Sequence, residues 1–205
     1  ASQLENLDAS LLPSVTIVVQ GGEKLDSVAS ISWILEKKTL YNAYGPTEVT
    51  VCSTALEVSG DMRFWQSIGK PLANVKAFIT NKAKFDIARG MPGELRLAGP
   101  QVARGYFSLP GRSAQVFLAE HIRHYCSGDL CRWLPDDTIE FLGRIDQQVK
   151  LRGFRIELGE IENVMARHPE VAQCVTILHG KGAAKKLVAY FVNTSTTASG
   201  RHRAD

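Results

Sequence analysis

The hydrophobic pattern of residues 15–55 predicts a β-α-β unit. Residues 15–19 are all β-branched and precede two glycines, which is typical of a buried parallel strand. Strand character returns over residues 40–44, before Gly45 and Pro46 interrupt it. Between these strands, apolar residues at helical spacing predict a helix over residues 23–38: Leu25, Val28, Ile31, Ile34 and Leu35. The pattern therefore predicts one layer of an α/β fold.

From about residue 68 to residue 143 the pattern changes to short strands. The segment Pro135-Asp-Asp137 separates two of them and predicts a hairpin turn. Strands are expected at residues 75–80, 93–98, 133–134 and 138–142. This part of the chain is therefore expected to be β-rich and barrel-like.

Residues 148–192 show a separate β-β-α-β-β pattern. Five apolar residues alternate around Gly153 and predict a hairpin with one core-facing side: Val149, Leu151, Phe154, Ile156 and Leu158. A helix and two strands are expected to follow, at residues 160–168, 171–179 and 187–192.

These changes of pattern define the expected domain organisation. We expect a partial large domain at 1–143, a hinge at 144–147, a partial small α+β domain at 148–192 and a tail or linker at 193–205. The predicted fold class is therefore α/β plus α+β.

Composition and charge restrict the function classes. The 205 residues are 44% hydrophobic and 22% charged, with a net charge of +3, which is an ordinary globular composition. So small a positive charge does not indicate nucleic acid or membrane binding, and the basic cluster Lys181, Lys185 and Lys186 is interpreted as a solvated turn. No apolar run approaches the ~18 residues of a membrane span, and no signal peptide is recognisable. The four cysteines lack disulfide or CxxC spacing, so we expect a reduced, cytoplasmic protein.

The segment Asn42-Ala-Tyr-Gly-Pro-Thr-Glu48 combines groups that suit a nucleotide. It follows a predicted strand, and open α/β sheets place ligands at the carboxyl ends of strands. Tyr44 offers an aromatic face, Thr47 a hydroxyl and Glu48 a hard oxygen ligand for Mg²⁺. By residue types alone, a strand followed by a Gly-Pro turn explains the segment equally well.

A second motif, Tyr125-Cys-Ser-Gly-Asp-Leu130, places a carboxylate beside a glycine, where we expect a turn. The Asp129 carboxylate can accept two hydrogen bonds from a ribose diol, and a plain structural turn is the alternative. Metal-ligating side chains are present nearby, but their spacing does not match zinc patterns: His121, His124, Cys126 and Cys131.

The densest motif runs from Leu142 to Glu162 and holds three glycines and eight charged side chains. With the two motifs above, it resembles the adenylate-forming enzymes. The string Arg155-Ile-Glu-Leu-Gly-Glu-Ile-Glu162 is similar, within them, to the adenylation domains of nonribosomal peptide synthetases. The resemblance covers about residues 11–192 and implies only the later part of such a domain.

The resemblance implies a role for each motif residue. Tyr44 would stack on adenine, while Thr47 and Glu48 would be catalytic, Thr47 at the phosphates and Glu48 as the Mg²⁺ ligand. Further nucleotide-binding positions are Gly22, Glu23, Asn42, Gly45, Asp129, Phe141 and Arg144. Hinge positions are Asp146, Lys150 and Gly153. Side-chain pocket positions are Val19, Gly21, Ala43, Val51 and Cys52; all are small or apolar, which implies a neutral amino acid substrate.

Two positions depart from the family pattern and others have a second explanation. Ser127 replaces a threonine and keeps its hydroxyl, whereas Cys126 replaces a basic residue. Phe141 is equally well explained as a core residue of a strand, and Lys150 as part of the wet face of a hairpin.

The implied activity has two steps. A carboxylate attacks the α-phosphate of ATP to give acyl-AMP and pyrophosphate, and a phosphopantetheine thiol on a partner carrier domain then takes the acyl group. The implied cofactors are ATP and Mg²⁺, and the implied partners are an amino acid and a peptidyl carrier domain, without nucleic acid or membrane. An acyl-CoA or aryl-acid ligase, or a non-catalytic module that binds nucleotide or a carrier, are the alternatives.

The 205 residues alone are predicted to be inactive. The family's glycine-rich phosphate loop, its C-terminal catalytic lysine and the aspartate for the α-amino group have no counterpart in the sequence. Because phosphoryl chemistry depends on positioning and charge neutralisation, we expect no measurable adenylation. ATP–pyrophosphate exchange by the isolated chain measures this, and robust turnover would refute it.

Overall fold

Residues 17–44 form the β-α-β unit that the hydrophobic pattern predicts. The structure, a computed structural model, describes residues 7–23, 25, 27–58, 66–119, 122–180 and 184–194. It divides the chain into two compact units, Ala1–Ile145 and Asp146–Asp205. The division falls inside the range expected to be a hinge. Of the tail expected at 193–205, Asn193 instead ends the last strand, and residues 195–205 lie outside the described part of the chain, as do His121 and Lys181.

The first unit is built mainly from short strands. Its elements are β1 (Ile17–Gly21), α1 (Ser27–Leu35), β2 (Thr39–Tyr44), β3 (Thr54–Glu57), β4 (Ser67–Pro71), β5 (Lys76–Thr80), β6 (Gly93–Ala98), α2 (Pro110–Val116), β7 (Phe117–Ala119), β8 (Arg123–Trp133) and β9 (Ile139–Arg144), with 3₁₀ helices at Ala9–Leu11 and Thr47–Val49.

A single sheet connects the two parts that the sequence pattern distinguishes. In the described residues it has nine strands, in the order β1-β2-β3-β4-β9-β8-β6-β5, with β7 paired to β8. Strands β1 and β2 are parallel, whereas β2–β3, β3–β4 and β4–β9 are antiparallel. The β-α-β layer and the β-rich segment are thus continuous through β3 and β4.

The main core joins the β-rich segment to the residues around the first motif. Leu95, Leu97 and Ile139 are fully buried at its centre. Tyr44 and Val49, from the candidate nucleotide motif, belong to the same cluster. A smaller cluster of Leu25, Leu40 and Val58 lies against the partly buried Ile34 of α1. Burial of Tyr44 and Val49 therefore attaches the motif to the core.

The second unit has the expected β-β-α-β-β order. Its elements are β10 (Gln148–Leu151), β11 (Phe154–Glu157), α3 (Leu158–Met165), β12 (Val171–His179) and β13 (Lys186–Asn193). Strands β10 and β11 form a tight antiparallel hairpin, and β12 and β13 form a second antiparallel pair. Helix α3 begins two residues before the expected start at residue 160.

Several local expectations differ from the structure. The segment around Asp129 is not a turn, since it lies inside the eleven-residue strand β8. A left-handed Gly128 (φ 70°) and a register shift after Leu130 form a bulge there, which explains why the sequence resembles a turn. Phe154 is 71% exposed rather than core-facing, because it adjoins the turn of the two-stranded hairpin.

Gly69 lies in β4, the strand that pairs with both β3 and β9, and any other residue there is predicted to lower the stability of the fold. It has a φ of 78°, and a Cβ there would lie 1.9 Å from the carbonyl oxygen of Ala55. Gly90 has a similar φ of 83° but nothing within 4 Å of such a Cβ. Gly90→Ala should cost about 1–2 kcal/mol for left-handed strain, and Gly69→Ala at least about 2 kcal/mol more, because the clash is with backbone.

Urea unfolding of the two variants measures this difference directly, because backbone strain is common to both substitutions. Equal losses of unfolding free energy would contradict the predicted role of close packing at Gly69.

Candidate functional site

The candidate site begins at the carboxyl ends of the two parallel strands. Gly21 and Ala43 are paired in register at this edge. A Cβ at Gly21 would lie 2.8 Å from the carbonyl oxygen of Ala43, so only glycine allows this close approach. Ala43 is buried, whereas Val19 is 63% exposed. The strand ends thus present a small, partly apolar surface.

A buried hydrogen-bond network links β2, β8 and β9 next to this edge. The Tyr44 hydroxyl donates to Oδ2 of Asp129. Arg144 donates from one terminal nitrogen to Oδ1 of Asp129 at 2.9 Å and to the carbonyl oxygen of Ser127 at 2.7 Å. Tyr44 and Asp129 are 6% and 3% exposed. Asp129, the expected ribose ligand, therefore contacts both Tyr44, expected at adenine, and Arg144, another expected nucleotide-binding residue.

The β8 bulge holds Asp129 in place. The Ser127 hydroxyl donates to the carbonyl oxygen of Leu95 at 2.7 Å and accepts the Asp129 N–H at 3.0 Å. The N–H of Gly128 donates to Oε1 of Glu94 at 3.2 Å, and its carbonyl oxygen accepts the Ile145 N–H at 2.9 Å. The hydroxyl that Ser127 retains therefore fixes the backbone of the carboxylate.

Burial changes the ionisation of the Tyr44 phenol. Desolvation, followed by the negative charge of Asp129, raises the pKa of Tyr44 well above its usual value near 10. The phenol therefore stays protonated and remains a hydrogen-bond donor to Asp129 throughout the physiological pH range.

The loop after β2 carries Thr47 and Glu48. A Cβ at Gly45 would lie 2.6 Å from the carbonyl oxygen of Val51, and the Ser53 N–H donates to the carbonyl oxygen of Tyr44 at 2.8 Å. The loop is therefore closed tightly at its base. Thr47 is exposed at the start of a 3₁₀ turn.

Glu48 is held from a distant segment of the chain. Its Oε1 accepts a hydrogen bond from the Tyr106 hydroxyl at 2.5 Å. Its carbonyl oxygen accepts the Ala103 N–H at 2.8 Å. Tyr106 is not among the site residues expected from the sequence, where its only signal is an aromatic residue after Gly105 in a segment without a predicted element.

The donor set at Glu48 suits Mg²⁺ that arrives with a nucleotide. Among the described residues, no group of three or more His, Cys, Asp and Glu side chains could hold a metal ion. Mg²⁺ commonly binds through one or two carboxylates together with substrate phosphates, so a single carboxylate is sufficient. Of the four residues weighed as a zinc group, His124 contacts Arg96 and Cys126 contacts Lys84.

The remaining nucleotide and pocket positions differ in their burial and contacts. Asn42 is buried and donates to the carbonyl oxygen of Ser67 at 2.8 Å. The Phe141 ring centroid lies 6.5 Å from that of Tyr44. Gly22 has a φ of 87° and directly follows β1, beside the half-buried Glu23. Val51 is 73% exposed and Cys52 is half-buried.

The expected hinge residues lie in the second unit. Oδ1 of Asp146 accepts the Gln148 N–H at 3.1 Å. Lys150 is exposed, and in the strand register of the hairpin it lies opposite the exposed Arg155. Gly153 lies at the hairpin tip with a φ of 82°, a conformation that favours glycine.

No described helix is long and apolar enough to cross a membrane.

A comparison with protein families decides the classification. A model described as "AMP-binding enzyme" matches residues 2–107. The chain belongs to the AMP-binding enzyme family. Its fold matches that of PA1221, which is described as a nonribosomal peptide synthetase protein containing adenylation and PCP domains. The TM-score is 0.81 at 26% identity, over 95% of this chain and 41% of that one.

Curated relatives of this AMP-binding chain are peptide synthases. Tyrocidine synthase 3 of Brevibacillus parabrevis is 40% identical over 198 residues, which is 93% of this chain and 3% of the relative. Tyrocidine synthase 1 of the same organism is 38% identical over 93% of this chain and 18% of the relative. The chain therefore spans only a small part of these relatives.

The raised pKa of Tyr44 predicts a pH dependence of stability in this AMP-binding chain. Above pH 10 the unfolded chain releases the phenol proton while the folded chain keeps it. Stability therefore falls with rising pH, by up to about 1.4 kcal/mol per pH unit from this group. Tyr44→Phe should reduce that slope, although it lowers stability at pH 7 by removing the hydrogen bond to Asp129.

Urea unfolding between pH 9 and pH 11 gives both slopes. Tyr41→Phe is the matched control, because Tyr41 also donates to a carboxylate, Glu57, but at the surface. The slope should change less in that variant. If Tyr44→Phe keeps the wild-type slope, the phenol is not buried as described.

Proposed function

We propose that this chain is the later part of an adenylation domain that activates an amino acid with ATP. The contact of Tyr44, Asp129 and Arg144 beside the carboxyl ends of β1 and β2 carries this proposal. An aromatic ring, a carboxylate and a guanidinium suit the base, the ribose diol and the phosphates of a nucleotide. The AMP-binding family and the peptide synthase relatives support the same function.

In this proposal Tyr44 and Asp129 bind and orient the nucleoside. Each carboxylate oxygen can accept more than one hydrogen bond, so Asp129 can accept ribose hydroxyls while it retains Tyr44 and Arg144. Arg144 places a positive charge beside the phosphates, and Thr47 presents a hydroxyl to them from the exposed loop. When bound through Glu48, Mg²⁺ supplies neutralisation of phosphate charge.

The substrate that we propose is a neutral amino acid. The positions assigned to its side-chain pocket bear no charge, and Gly21 and Ala43 at the strand ends carry no bulky side chain. A charged substrate side chain would find no counter-charge among them.

The second proposed step transfers the acyl group to a phosphopantetheine thiol of a carrier domain. Relatives that combine adenylation and PCP domains support this partner. We propose Asp146 as the hinge, because the division between the two units falls directly before it. Lys150 and the glycine tip at Gly153 are proposed to face the carrier arm, since an exposed cation and a tight turn suit an anionic, extended ligand.

Glu48→Gln in the complete protein that carries this segment tests the metal assignment. The change keeps the shape of the side chain but removes its negative charge, so Mg²⁺-dependent ATP–pyrophosphate exchange should fall at least about ten-fold. Glu57→Gln is the control, because Glu57 is an exposed carboxylate at the end of β3.

Exchange at the wild-type level in Glu48→Gln would show that Glu48 is not the metal ligand. Exchange that depends on an aryl acid rather than an amino acid would instead indicate the aryl-acid ligase alternative.

A further inference from the structure

Glu48 is contacted twice by one short segment that follows β6. The Ala103 N–H donates to the carbonyl oxygen of Glu48 at 2.8 Å. Three residues later, the Tyr106 hydroxyl donates to Oε1 of the same glutamate at 2.5 Å. The segment therefore fixes both the backbone and the carboxylate of a residue 58 positions away in the chain.

Tyr106 is itself held in place from three directions. Its N–H donates to the Ser113 hydroxyl at 2.8 Å, and that hydroxyl lies in α2. Its ring packs edge-on against Phe117, with centroids 5.4 Å apart at an interplanar angle of 71°. The guanidinium carbon of Arg112 lies 5.8 Å from the ring centroid. The phenol is thus a preset donor rather than a mobile surface group.

A preset donor matters for a glutamate that binds a metal ion. A glutamate side chain loses considerable rotamer freedom when it is fixed. Hydrogen bonds to a ligating carboxylate orient it before the metal arrives, and their loss weakens metal binding without removing a ligand. A charge-assisted phenol–carboxylate bond is of the stronger kind.

We propose that Tyr106 is a positioning residue that orients the Glu48 carboxylate for the divalent cation of the nucleotide complex. The inference rests on the proposed function, in which Glu48 is the metal ligand. Tyr106 then acts on metal affinity through Glu48 and contacts neither substrate.

The test uses the complete protein that carries this segment, with Tyr106→Phe and Mn²⁺ as the probe. Electron paramagnetic resonance measures Mn²⁺ binding in the presence of a non-hydrolysable ATP analogue. Mn²⁺ affinity should weaken about ten-fold, and the KM for Mg²⁺-ATP should rise while the KM for the amino acid stays constant. Phenylalanine retains the packing on Phe117, so the thermal midpoint should match that of the control Tyr41→Phe, which also loses one phenol–carboxylate hydrogen bond.

Unchanged Mn²⁺ affinity in Tyr106→Phe, together with weakened affinity in Glu48→Gln, would overturn the positioning role alone. Unchanged affinity in Glu48→Gln would overturn the metal assignment on which it rests. The double variant should bind Mn²⁺ no more weakly than Glu48→Gln, because Tyr106 acts through that carboxylate. A further loss in the double variant would also overturn the proposal.

Discussion

The buried carboxylate of Asp129 is the constraint on which the first unit depends. A charge that is 3% exposed is tolerated only with hydrogen bonds and an opposite charge. Tyr44 and Arg144 supply these from β2 and β9. Because β2 and β9 are separated by β3 and β4 in the sheet, the network also connects strands that do not pair directly. The same three side chains therefore stabilise the fold and form the candidate nucleotide-binding site.

This sharing explains why the bulge of β8 matters. A regular strand would turn alternate residues to opposite faces, whereas the left-handed Gly128 re-aims the chain immediately before Asp129. The Ser127 hydroxyl stabilises the bulge through Leu95 and the Asp129 N–H. Ser127, which stands where the family has threonine, thus keeps the hydroxyl that makes both of these hydrogen bonds.

Local patterns predicted those features that depend on neighbouring residues. Strand β6 was predicted at its observed bounds, and the Asn42–Glu48 segment lies at the strand end where the pattern placed it. Strands β3 and β4 were not predicted, because they are fixed by pairing with strands distant in the chain, at Thr54–Pro71 and Ser67–Glu140. The exposure of Phe154 likewise depends on which elements cover it, and periodicity does not contain that information.

The contact between Tyr106 and Glu48 shows the same limit at the candidate site. A sequence motif can place Glu48 on a loop, and Gly45 can close that loop, but neither fixes a side chain with three rotatable bonds. That orientation comes from a phenol held by Ser113, Phe117 and Arg112, all in or beside α2, an element absent from the predicted pattern. The position of the glutamate oxygen therefore depends on the packing of α2 and β7 as much as on the motif itself.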